Sequence, residues 1–220
     1  VEGLGVENII RQNLLSRMEL EDSLGFSFGQ RNLMITFHPV TLEHETSAQQ
    51  MSELLKALKK IELTNLIFTM PNADTDGRVL FEMIKEFVLQ NPKTSKAFIS
   101  LGQQRYLSCL KYMDSIVGNS SSGLTEAPSF KIGTINIGNR QSGRLKASSV
   151  IDCEPKASSI LQAFEKLYST SFQESLKTVI NPYGEAIVSQ EIVKKLEMFT
   201  FNDSLKKHFF NIPIEMKNFS

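Results

Sequence analysis

Along residues 32–153, short apolar runs that are too brief for a helix alternate with longer stretches carrying apolar residues at three-to-four spacing. The runs are 32–37, 65–70, 97–101, 115–117, 133–137 and 150–153, and the intervening stretches 47–63, 77–89 and 103–113 read as amphipathic helices, with a short helix over 122–128. In 47–63, for example, Met51, Leu54, Leu55, Leu58 and Ile61 form one stripe. Strands apolar on both faces and separated by helices cannot leave a face to water, so they imply a parallel sheet covered on each side. The fold class is α/β. Before the alternation, 6–24 reads as one helix that Gly25 stops; after it, 158–167, 172–179 and 190–199 read as helices broken at Asn181-Pro182-Tyr183-Gly184.

With 220 residues the chain is long enough for one domain, or two, with a substantial core. Its 24 basic and 24 acidic side chains cancel, so nothing in the total charge draws it to nucleic acid or an anionic membrane. No apolar run approaches the ~20 residues of a transmembrane helix. Cys109 and Cys153 form no CxxC or Cys/His cluster, which argues against a zinc site and suits buried thiols in a reducing compartment. The first residue is Val1, and the start lacks the regions of a signal peptide; a truncated chain is expected.

In an open parallel sheet, ligands sit beyond the carboxyl ends of the strands. Three loops there are unusual: Phe37-His38-Pro39-Val40-Thr41, Met70-Pro71-Asn72-Ala73-Asp74, and Gly118-Asn119-Ser120-Ser121-Ser122-Gly123 leading to Glu126. In the serine loop the glycines permit close backbone approach and a helix beginning there aims N–H groups outward, an anion cradle; a plain serine cap in a tight turn reads equally well. It has neither the P-loop lysine nor GxGxxG spacing. Glu126, four residues after Ser122, falls in the first turn or so of that helix, where it tempers the dipole or accepts the two hydroxyls of a ribose.

Segment 118–151 holds Lys131, Arg140, Arg144 and Lys146 against Glu126, a net +3 beside the cradle. Arg140, in Gly138-Asn139-Arg140-Gln141-Ser142-Gly143-Arg144, can close over a diphosphate or simply be solvated. His38, pushed toward extended geometry by Pro39, is either a phosphate or proton-transfer partner or a structural histidine. Asn72, Asp74 and Asp76 resemble a helix-capping turn, and His44 and His208 surface residues. No metal-ligand pair or Ser/His/Asp order stands out, so no metal and no cofactor is expected.

Taken together, these loops resemble the C-terminal half of the hydrolysing UDP-N-acetylglucosamine 2-epimerases, including the sialic and legionaminic acid branch. The matching text is Thr36-Phe37-His38-Pro39-Val40-Thr41, Pro71-Asn72-Ala73-Asp74, Gly118-Asn119-Ser120-Ser121-Ser122-Gly123 with Glu126-Ala127-Pro128, and Asn136-Ile137-Gly138-Asn139-Arg140-Gln141-Ser142-Gly143-Arg144. The resemblance is ordered and runs over nearly the whole chain. It implies a Rossmann-like parallel sheet flanked by helices, the C-terminal domain of a glycosyltransferase B (GT-B) architecture, with residues 1–30 as an N-terminal helix at the domain junction, 31–155 as the nucleotide-binding domain and 156–220 as C-terminal helices packing on the sheet or on a missing N-terminal domain.

Residue by residue, it implies that Ser120 and Ser121 bind the diphosphate, Glu126 the ribose and Arg140 the phosphates. Backbone near Leu101 frames the base, Asn72 faces the nucleotide-sugar, and His38 sits at the phosphate and reacting sugar; Ser122 carries less weight. The implied reaction eliminates the nucleoside diphosphate across C1 and C2 to a glycal and hydrates it with inversion at C2, giving N-acetylmannosamine or a 2,4-diacetamido relative. The implied partners are a nucleotide-sugar substrate, the missing domain and a second copy in a homodimer, with no nucleic acid and no membrane; the location is cytoplasmic. This chain alone is expected to bind nucleotide weakly without turnover. The donor half of a GT-B glycosyltransferase and a noncatalytic nucleotide-sugar sensor are the alternatives.

Overall fold

A computed structural model describes residues 4–40, 47–71, 75–184 and 188–199. Six parallel strands form one sheet: β1 (Arg31–Thr36), β2 (Thr64–Thr69), β3 (Ser95–Phe98), β4 (Ser115–Gly118), β5 (Gly133–Ile137) and β6 (Val150–Cys153). Their order is β3-β2-β1-β4-β5-β6, the doubly wound order in which the chain runs outward from the centre twice, reversing between β1 and β4. The expected α/β sheet is therefore observed, with the third strand shifted toward the N-terminus from 97–101.

Period-2 alternation divides each strand between two cores. Leu33, Ile35, Leu66, Phe68 and Val117 face α3 (Ser47–Leu58), α4 (Thr75–Gln90), α7 (Ala157–Leu167) and α8 (Thr170–Leu176). Met34, Ile67 and Ile116 face the opposite way, against α2 (Arg17–Leu24) and α5 (Gly102–Leu110). Among the described residues helices cover both faces, which leaves the strand ends as the place for this sheet to meet a ligand.

The single helix expected over 6–24 is two, α1 (Leu4–Arg11) and α2. Ser16 and Glu19 form a reciprocal capping box that starts α2, and the Ser108 hydroxyl accepts the Leu15 N–H at 2.9 Å; together they satisfy the break that the apolar spacing conceals. Gly25, at φ 55°, closes α2 as expected. A short α6 (Ser122–Thr125) and a 3-10 turn over Ala127–Phe130 follow β4, and α9 (Ser189–Glu197) is the last described helix. The buried Glu7 carboxylate joins α1 to the start of α9, accepting from Val188 N (3.1 Å), Ser189 N (2.7 Å) and Ser189 Oγ (2.6 Å).

Candidate functional site

At the strand reversal, the last residues of β1 and β4 are paired, Thr36 with Gly118. Gly118 has φ 138°, and a Cβ there would lie 2.0 Å from the Thr36 carbonyl oxygen, so only glycine lets the chain turn off the sheet this close to its neighbour. The next residue, Asn119, is 1% exposed and ties three loops together. Its N–H reaches Thr36 O (3.1 Å), its Oδ1 accepts from His38 N (2.7 Å), and its Nδ2 donates to His38 O (2.8 Å). Its own carbonyl accepts from Arg140 Nη1 (2.9 Å) and Gln141 Nε2 (2.7 Å). His38, the serine loop and Arg140 thus converge at one point although they follow three different strands, β1, β4 and β5.

Within the serine loop the three hydroxyls differ. Ser120 and Ser121 are half-buried at the surface, and among the described residues their N–H groups meet no acceptor. Ser122 is buried, accepts from the Tyr106 hydroxyl at 2.5 Å and donates to the Glu126 carboxylate. Burial, aided by the Glu126 charge, holds the Tyr106 phenol above its ordinary pKa, so it stays a donor. Gly123 packs against β5, its carbonyl accepting from Thr134 Oγ1 at 2.7 Å.

Glu126 stands at the C-terminal end of its helix's single turn, where the dipole offers a carboxylate no favourable contact. The α6 helix lasts one turn, Glu126 closes it, and Pro128, which has no N–H to donate, carries the chain into the 3-10 turn instead. The dipole role expected of this carboxylate is therefore replaced by the bond from Ser122, and the cradle rests on individual N–H groups more than on a macrodipole.

The local charge also differs from its count. Lys146 is ion-paired with Asp152 at 2.8 Å, one residue beyond the counted segment, and Lys131 donates to the Val179 carbonyl behind the loop. Arg144 is exposed, and Arg140 is anchored to the loop through one nitrogen, which among the described residues leaves the remainder of its fork for a bidentate contact.

Leu101 is 4% exposed with its side chain among Met34, Ile67 and Leu107, and its carbonyl accepts from Arg105 Nε at 2.9 Å. Its main chain runs into Gly102, at φ 66°. Asn72, with Asp74, lies outside the described residues. Among the described residues no group of three or more His, Cys, Asp or Glu side chains could hold a metal ion. Cys109 is buried and Cys153 half-buried, and burial pushes both thiols up to about 12, which leaves them poor nucleophiles. A cavity of 510 Å³ beyond β5 and β6 is lined by Val40, Gln50, Asn139, Asp152 and Glu154 and adjoins this site.

Sequence reasoning missed Asn119, Gln141 and Tyr106, and also Asn181, which from the C-terminal turn donates to Thr125 O (2.8 Å) and Ser129 Oγ (2.7 Å) beneath the serine helix. The Gly-Asn pair at a strand end was the available signal for Asn119; the other three are polar residues whose partners lie far off in sequence.

Residues 4–197 match the UDP-N-acetylglucosamine 2-epimerase family. The chain belongs to that family. It is 37% identical over 205 residues to the GDP/UDP-N,N'-diacetylbacillosamine 2-epimerase (hydrolyzing) of Campylobacter jejuni, covering 93% of this chain and 53% of that protein. The chain spans about half the length of the curated relatives it matches. Among solved structures it is similar in fold to the UDP-GlcNAc 2-epimerase of Neisseria meningitidis bound to UDP-GlcNAc, with a TM-score of 0.60 and 16% identity over 82% of this chain and 47% of that one. It is similar also to the C-terminal domain of a group 1 glycosyl transferase from Francisella tularensis, with a TM-score of 0.53 and 12% identity over 86% of this chain and 98% of that domain. A family member whose fold matches a whole C-terminal domain is what the loop motifs imply.

Proposed function

We propose that this chain is the nucleotide-binding half of a hydrolysing 2-epimerase acting on UDP-N-acetylglucosamine or on a UDP- or GDP-linked 2,4-diacetamido sugar. The observation that carries the reading is the convergence on Asn119: an imidazole-bearing loop, two accessible serines and an arginine meet where the strand order reverses, the place a nucleotide takes in such sheets. Ser120 and Ser121 offer hydroxyls and N–H groups to the diphosphate, Arg140 neutralises it, and Glu126 accepts the ribose hydroxyls. Main chain at Leu101 frames the base, and Asn72 faces the nucleotide-sugar.

Breaking the C1–O bond leaves the electron pair on the departing diphosphate, and His38, Arg140 and the loop N–H groups are suited to stabilising that charge. The C2 proton leaves to a base, forming the glycal; water then adds at C1 and a proton returns to C2 from the opposite face. The products are the free 2-epimer, such as N-acetylmannosamine, and a nucleoside diphosphate. The groups that move the C2 proton are assigned to a further N-terminal domain, so residues 1–220 alone bind nucleotide weakly and do not turn over. Within the chain, 1–30 is assigned to the domain junction, 31–155 to nucleotide binding and 156–220 to helices that pack on the sheet or that further domain. A homodimer in the cytoplasm is part of the same reading.

The test is to incubate the gene product containing this sequence with each nucleotide-sugar in D2O. Release of nucleoside diphosphate with a deuterium at C2 of the freed sugar is expected, and loss of that release in His38→Ala. The fold's likeness to a glycosyl transferase domain favours a second reading, donor binding for glycosyl transfer. Sugar release without an acceptor excludes it; no release from any of the three substrates refutes the epimerase.

A further inference from the structure

We infer that Asn119 is a positioning residue that fixes His38 for the reaction; this rests on the epimerase reading above. Its side-chain amide grips the His38 main chain from both sides, accepting the N–H and donating to the carbonyl, as a neighbouring strand would. Only one amide orientation satisfies both bonds, and the length is matched to asparagine: aspartate lacks the donor, serine the reach and glutamine has a methylene too many. Pro39 biases the same residue to extended geometry, so the root of the imidazole is fixed from two directions. The sheet itself does not depend on this grip, because β1 and β4 are already joined through Leu33 to Thr36.

The anchoring of Arg140 uses a different part of the same residue. Arg140 and Gln141 both bond the Asn119 main-chain carbonyl, and Gln141 is buried there with its Oε1 lacking a hydrogen-bond partner among the described residues. A buried amide left half-satisfied calls for an explanation, and reaching that carbonyl supplies one. One residue therefore holds the imidazole by its side chain and the guanidinium by its backbone. A side-chain substitution releases His38 while leaving the phosphate anchors in place, which separates this role from general loop stability.

The experiment compares Asn119→Ala and Asn119→Asp with His38→Ala in the gene product containing this sequence, measuring kcat, KM, UDP affinity, Tm and the pH profile of kcat. Asn119→Ala is expected to lower kcat about 100-fold, the scale of an ångström-sized misplacement of a reacting group, with the dissociation constant for UDP unchanged. In the isosteric Asn119→Asp, a limb of the pH profile of kcat is expected to lie at higher pH than in the wild type, because a carboxylate beside the His38 main chain favours the imidazolium. Wild-type kcat and pH profile in both Asn119 variants, with His38→Ala inactive, overturns the positioning role. So does a parallel fall of kcat, UDP affinity and Tm, which is the mark of a merely structural residue. If Asn119→Ala does not fold, Asn119→Asp decides. Full activity in His38→Ala overturns the epimerase reading of His38 instead, so the two failures are distinguishable.

Discussion

Ser122 and its two neighbours have the same side chain and different surroundings, and the surroundings assign their work. Ser120 and Ser121 stand at the surface of the loop, whereas Ser122 is sunk between the Tyr106 hydroxyl and the Glu126 carboxylate. Its hydroxyl joins the two, and we propose that it orients Glu126. Ser122→Ala leaves two polar groups without their partner and is expected to cost about 1–3 kcal/mol of stability, read from urea denaturation, while also weakening UDP binding. An unchanged denaturation midpoint and UDP affinity would mean that the Tyr106–Ser122–Glu126 chain is incidental. Gly118→Ala belongs to another class. With φ 138° and the Thr36 carbonyl where a methyl would go, it is expected to destabilise by about 3 kcal/mol or more, or to prevent folding. A soluble Gly118→Ala chain with wild-type Tm contradicts the tight β1–β4 turn.

Among the elements, α1 and α9 show how much a single buried carboxylate can do. Glu7 accepts three bonds from Val188 and Ser189 and is ion-paired with Arg11 at 2.6 Å. The Ser189 hydroxyl bond is the main cause that lowers its pKa from the ordinary 4.5, burial opposing it. Because the folded value lies below the unfolded one, the stabilisation is present above about 4.5 and is lost as the pH falls through the lowered folded value. Hydrogen exchange at the Val188 and Ser189 amides, corrected for intrinsic rates, is expected to lose protection at acid pH before the sheet does, and Glu7→Gln to weaken it at neutral pH. Protection equal to that of the sheet at every pH counts against the clamp.

The same scale shows which elements spacing reveals. Strands β1, β2, β4, β5 and β6 were legible because apolar residues on both faces of a short run leave little else for it to be. The break between α1 and α2 was not, since Leu14 and Leu15 continue the helical period while the capping box of Ser16 and Glu19 interrupts it. Glu126 was misplaced for a related reason: one turn of helix before Pro128 cannot be told from a longer one by periodicity.

Across the whole molecule, a zero net charge hides where the charges are used. The +3 of segment 118–151 falls to +2 once Lys146 meets Asp152; Lys131 turns to the Val179 carbonyl, Arg144 is exposed, and Arg140 is held at the cradle by the Asn119 carbonyl. The loops that carry the site were legible in the sequence as Gly, Ser and His-Pro signatures at strand ends. Their mutual geometry was not, because the bonds of Asn119 to His38 span 81 residues and those to Arg140 run back from another strand, and linear spacing holds no record of which loops the sheet order brings together. We propose that this order builds a nucleoside diphosphate site, with Ser120, Ser121 and Arg140 at the diphosphate and Glu126 at the ribose. Calorimetric titration of UDP and of uridine into the 220-residue chain tests it directly. UDP is expected to bind one to one and uridine far more weakly, with Arg140→Ala weakening UDP about tenfold, the scale of one lost charge-assisted contact. Equal heats for UDP and uridine, or an affinity for UDP that Arg140→Ala leaves untouched, would contradict it.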